Sequence, residues 1–128
     1  MIKQISHIGI VVKSVEETYK FYSLCFQIPF SLPDIRGDIK GSVAQVGNVK
    51  IELLEPINNK GVLGRFLEKH GEGFHHVCFE VDDMESEIEF LKTKGIETIG
   101  SPREGMEGRI IFLHPTTTYG LLIELVQK

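Results

Sequence analysis

Apolar and polar positions alternate in two stretches, His7-Ile8-Gly9-Ile10-Val11-Val12 and Phe74-His75-His76-Val77-Cys78-Phe79-Glu80-Val81. Side chains of a strand repeat every second residue, so the later stretch puts His76, Cys78 and Glu80 on one face and Val77, Phe79 and Val81 on the other. After each stretch the period lengthens to that of a helix. Val15, Tyr19, Tyr22 and Phe26 make one buried stripe, and Met84, Ile88 and Leu91 make the other. The pattern predicts a strand over 2–12 and a helix over 15–26, with Ser14 as N-cap and Glu17 completing a capping box. It predicts a second strand over 74–81 and a helix over 83–94, capped by Asp82 or Asp83 and stopped by Gly95.

Between and after these elements the signals are shorter. Residues 31–41 read as a loop or frayed strand. Residues 42–46 and 49–55 form a hairpin through Gly47-Asn48. Residues 56–73 hold a loop and a short helix around Val62, Phe66 and Leu67. A strand over 96–99 precedes a Gly- and Pro-rich loop over 100–108, and strands over 109–114 and 120–126 flank the turn 115–119. Each half therefore reads βαβββ.

The halves are copies. Lys50-Ile51-Glu52-Leu53-Leu54 and Leu122-Ile123-Glu124-Leu125-Val126 share Ile-Glu-Leu, and the Glu52–Glu124 spacing exceeds the His7–His76 spacing by a three-residue loop change. The expected organisation is one domain, 1–128, made of repeats 1–55 and 74–128 joined by 56–73. A pseudo-twofold axis between repeats would bring His7, Glu52, His76 and Glu124 together within one chain. A lone inward histidine is more often a packed core residue. A carboxylate between two apolar neighbours is harder to dismiss, because burying it unpaired is costly, and both repeats make that choice. Two imidazoles and two carboxylates suit a divalent ion such as Co, Ni, Zn, Mn or Fe, with two octahedral positions left for water or substrate. Glu80 shares the face of His76 and falls at the mouth of such a cavity or at a surface strand end. His114 ends a strand, His75 turns outward, and His70 lies on a charged face.

Composition narrows the classes. The chain has 128 residues, 41% apolar and 25% charged, with a formal charge of −4 and no basic cluster, which gives nothing for nucleic acid to bind. No apolar run is long enough for a bilayer and no signal peptide is legible, so neither a membrane nor export is expected and a cytoplasmic location is. Cys25 and Cys78 are too few for a disulfide framework and read as reduced thiols. Ile2, Ile5, Ile8 and Ile10 load the first strand with apolar surface, from which a homodimer is expected. Nucleophile elbow, phosphate loop and CxxC pair are all absent.

Over nearly its whole length the chain resembles the vicinal oxygen chelate (glyoxalase/bleomycin resistance) superfamily, and within it the methylmalonyl-CoA epimerases. The likeness is carried by His7-Ile8-Gly9-Ile10-Val11-Val12, Val46-Gly47-Asn48-Val49-Lys50-Ile51-Glu52-Leu53-Leu54-Glu55-Pro56, the His75-His76 pair, Glu80-Val81-Asp82-Asp83, and Phe112-Leu113-His114-Pro115 with Gly120-Leu121-Leu122-Ile123-Glu124-Leu125. The resemblance implies an α+β fold in which two βαβββ units pair into a curved, barrel-like mixed sheet around a divalent metal. It implies an isomerase that epimerises an acyl-CoA thioester by proton abstraction beside the carbonyl, with Glu52 and Glu124 as the two bases. A glyoxalase I-type lyase acting on a thiol adduct shares the ligand order. That enzyme carries an Arg where this chain has Val11, which counts against glutathione. A non-catalytic binding member would lack the full ligand set.

Overall fold

A computed structural model describes all residues, Met1–Lys128. Two compact units can be separated, one formed by residues 7–75 and the other by 1–6 with 76–128. Strand β1 (Ile2–Val11) starts in the latter and ends in the former.

In the unit 7–75, β1 leads into α1 (Val15–Phe26), then β2 (Asp34–Arg36), β3 (Ile39–Val46), β4 (Val49–Pro56) and α2 (Val62–His70). The strands lie in the order β2-β3-β4-β1, antiparallel except that β1 and β4 run parallel. α1 begins where expected: Ser14 is extended, and the Glu17 N–H donates to its Oγ at 3.2 Å. The Val15 N–H finds the Glu55 carboxylate at 2.8 Å, which pins the helix start to β4. Val12, Val15 and Leu53 form the buried centre, with Ile10, Tyr19, Tyr22 and Phe30 around it.

Phe26 is 61% exposed, because the helix ends at it and Gln27 turns left-handed; its ring rests on Tyr22 instead of the sheet. Residues 31–41 are more ordered than a frayed loop. Gly37 supplies the positive φ of a two-residue turn, and β2 pairs with the start of β3 across it. All of β2 is exposed, so no alternation marked it.

In the unit containing 76–128, β5 (Gly73–Val81) leads to α3 (Met84–Thr93), β6 (Thr98–Glu104), β7 (Arg109–Leu113), a 3-10 turn (Pro115–Thr117) and β8 (Ile123–Gln127). The order is β5-β8-β7-β6, and β5 and β8 are the parallel pair. Asp83 is the N-cap of α3, accepting from the Ser86 N–H at 3.0 Å. Val81, Met84, Ile111, Leu113 and Leu125 are the buried centre between α3 and the sheet. The expected loop 100–108 is half strand: β6 runs through Gly100-Ser101-Pro102, and its register against β7 shifts between Ile99 and Arg103. Gly and Pro there mark a bulge, not the end of pairing.

Both units thus follow one plan. A parallel pair lies inside each half-sheet, a helix covers one face, and the other face carries the polar residues of interest. No helix is long and apolar enough to cross a membrane.

Candidate metal centre

Register fixes which side chains share a face. In the first unit Gly9 lies opposite Glu52 and His7 opposite Lys50. His7 and Glu52 therefore stand on the face turned away from α1, since Ile10, Val12 and Leu53 take the helix side. His7 is buried, its Nε2 is 3.6 Å from a Glu52 oxygen, and the Glu52 side chain is 23% exposed. In the second unit Cys78 lies opposite Glu124 and Phe112 lies opposite Glu124 from the other side. His76 reaches diagonally to that carboxylate, Nε2 to oxygen 3.3 Å, with both side chains buried. The Phe112 ring stands edge-on to the His76 ring at 5.9 Å.

These separations discriminate between two kinds of contact. A charge-assisted hydrogen bond between imidazolium and carboxylate closes to about 2.7–2.9 Å. Two ligand atoms each about 2.1 Å from one ion, at octahedral to tetrahedral angles, stand roughly 3.0–3.4 Å apart. The 3.3 Å pair matches the second geometry and the 3.6 Å pair lies just beyond it. Donor chemistry agrees, because imidazole nitrogen with carboxylate oxygen suits a borderline divalent cation. The His76–Glu124 pair thus fits half of a metal shell, and the His7–Glu52 pair stands slightly wide of one.

Cys78 was not singled out as a ligand by the sequence. It is fully buried, with its sulfur within 4.8 Å of a Glu124 oxygen. The alternation that placed it with His76 was the available signal.

The remaining candidates have other occupations. Glu80 is 6% exposed and accepts from Gln4 Nε2 at 2.8 Å, with Lys3 Nζ at 3.3 Å and Lys128 Nζ at 3.4 Å. It is neither a surface carboxylate nor a free one at a cavity mouth. These donors, the Gln4 amide foremost, hold its carboxyl below the ordinary 4.5 against the opposing effect of burial. His114 caps the 3-10 turn, its Nδ1 2.8 Å from Thr116 Oγ1. His70 and His75 both pack on Phe66, each ring centroid 4.9 Å away. A groove lined by Ile10, Val12, Phe21, Tyr22, Glu17 and Glu72 opens on the helix side of the first half-sheet, away from His7 and Glu52.

Comparison with known proteins agrees with this architecture. Residues 6–112 match the model of the Glyoxalase/Bleomycin resistance protein/Dioxygenase superfamily. The chain is 34% identical to the uncharacterized protein YqjC of Bacillus subtilis, over 97% of this chain and 91% of that one. It is also 34% identical to an ethylmalonyl-CoA/methylmalonyl-CoA epimerase of Cereibacter sphaeroides, over 99% of both. Among solved structures, a hypothetical protein of Bacillus halodurans superposes with a TM-score of 0.90 at 31% identity, over 98% of this chain and 94% of that one. A variant of the Streptomyces coelicolor methylmalonyl-CoA epimerase in complex with 2-nitronate-propionyl-CoA gives 0.89 at 29%, over 100% and 99%. The duplicated βαβββ plan, the whole-length likenesses and the family match lead to one assignment: the chain belongs to the glyoxalase/bleomycin resistance protein/dioxygenase superfamily, with the α+β fold of that family.

Proposed function

We propose that the chain is a metal-dependent isomerase of the methylmalonyl-CoA epimerase kind, in which His7, Glu52, His76 and Glu124 of one chain hold a single divalent ion. The reading rests on the repeated pair: in each unit a buried histidine faces a glutamate oxygen, at 3.6 Å in one and 3.3 Å in the other, on the sheet face away from the helix. Similarity to epimerases over the full length supports the reaction class. When bound, the ion supplies Lewis-acid stabilisation of the charge that develops on a carbonyl oxygen as the neighbouring carbon loses its proton.

Glu52 and Glu124 move the proton. One carboxylate takes it from the carbon beside the thioester carbonyl, and the other returns one to the opposite face, which inverts the configuration. General-base help of this kind contributes roughly 10²–10⁴ in rate. Glu124 is buried beside His76 and Cys78, so its oxygens are poorly hydrated and aimed; Glu52 is partly open, which gives its proton a route to solvent. Glu80 is unsuited to the task because three donors already occupy it.

The test is solvent-deuterium exchange into methylmalonyl-CoA and into a methylglyoxal–thiol adduct, run side by side with several added metals. Metal-dependent exchange into the thioester is expected. Turnover of the adduct alone would replace this reading with a glyoxalase I-type lyase, and exchange into neither would remove the enzymatic reading.

A further inference from the structure

Resting on the epimerase reading, we infer that Arg103 is a substrate-binding residue that grips an oxyanion group of the thioester beside the His76–Glu124 pair. The starting point is the bulge in β6. Ile99 pairs with Phe112 and Arg103 pairs with Ile110, so four positions of β6 span two of β7. An unbroken antiparallel register would have set Ser101 opposite Ile110. The two inserted residues replace that serine with an arginine without changing the face, because the shift is even.

That face is the one carrying the metal pair. Phe112 lies opposite Glu124, and its ring meets the His76 ring edge-on at 5.9 Å. The Arg103 guanidinium lies over the same Phe112 ring, 5.7 Å from its centroid. Arg103, Phe112 and His76 thus form a row of contacts from the exposed strand edge down to the buried histidine. Arg36 and Arg109 are committed to carboxylates, at 3.2 Å to Asp34 and 2.6 Å to Glu85. Arg103 makes no such ion pair. No carboxylate occupies its N–H groups, which leaves the fork available to an incoming oxyanion. That fork matches a carboxylate or phosphate in bidentate fashion. A thioester of a carboxylated acid on a phosphate-bearing carrier offers both.

Two variants separate charge from fork. Arg103→Met keeps an apolar stem on Phe112, and Arg103→Lys keeps the charge alone. KM for methylmalonyl-CoA should rise about tenfold or more in Arg103→Met while kcat changes little, with partial recovery in Arg103→Lys. Calorimetric titration of the metal-loaded protein with free CoA and with malonate then identifies the oxyanion. Loss of CoA affinity alone in Arg103→Met assigns the phosphates, and loss of malonate affinity alone assigns the carboxylate. Unchanged KM together with unchanged affinity for both probes overturns the inference. Should the wild type show no isotope exchange with methylmalonyl-CoA, the epimerase reading fails, and the two titrations still decide Arg103: binding lost in Arg103→Met supports the grip, and binding equal in both proteins, or absent from the wild type, contradicts it.

Discussion

An amide at position 124 or 52 keeps an oxygen for an ion but has no basic site for a proton, so it separates the two duties of each glutamate. Glu124→Gln and Glu52→Gln should each retain metal and lose one direction of proton transfer. Deuterium wash-in, followed separately for the two substrate epimers, should then show one epimer exchanging in each variant. Equal and near-wild-type exchange in both would place the bases elsewhere, with Asp38 next to be tested. Glu80 belongs to a different problem. Its carboxyl titrates lower in the folded chain than in the unfolded one, so its contribution to stability is complete above the ordinary 4.5 and disappears as pH falls through the depressed value. Glu80→Gln should lose that contribution already at neutral pH. Thermal unfolding of the variant should accordingly decline less steeply than that of the wild type below about pH 4.5; identical acid limbs would show that Lys3, Gln4 and Lys128 do not favour the ionised form.

At the scale of elements, Gly64 in α2 shows how packing can outweigh propensity. Alanine is the better helix former by about 1 kcal/mol. A Cβ at this position would collide with the Asn58 carbonyl oxygen and lie 2.7 Å from the Asn59 Cα, both backbone atoms with little freedom to move. Overpacking of this sort costs roughly 1–3 kcal/mol, so Gly64→Ala should lower the melting temperature. An unchanged or raised value would mean the 56–61 loop gives way freely. The two main helices were legible because their caps are local: Ser14 and Asp83 each accept from a backbone N–H three residues on. β2 and the later part of β6 were not. Their pairing depends on Gly37 and Gly100 taking positive φ, and glycine in a one-dimensional reading signals interruption. The role of Glu80 was hidden for another reason: its donors Lys3, Gln4 and Lys128 are remote in sequence.

For the whole molecule, duplication made the two candidate His–Glu pairs readable. A lone His7 or Glu124 would have passed as a core residue, whereas the repeated His and Glu pointed to shared chemistry; of the two carboxylates expected to be buried, Glu124 is and Glu52 is partly open. The expected dimer surface is narrower than the strand's composition implied. Ile10 packs beneath α1 and Ile8 is half-buried, which leaves Ile2 at 47% and Ile5 at 38% exposure. We propose that a homodimer covers them; sedimentation at micromolar concentration should give a dimer mass, and a monomer would contradict it. Metal should also be a folding ligand. At about 100 times the dissociation constant an ion adds roughly 2.7 kcal/mol, on the order of 10 °C in melting temperature for a chain of this size, and a chelator should reverse the rise.

In the proposed site the two units serve one ion. Titrating metal-free protein calorimetrically with Co or Ni, and repeating it with His7→Ala and His76→Ala, tests it most directly. Changes outside a ligand shell already weaken metal binding about 10–100-fold, so removal of a ligand should cost at least that much. One equivalent per chain is expected, with a loss beyond 100-fold in both variants, one from each unit. Two equivalents per chain, or affinity kept in either variant, would contradict it.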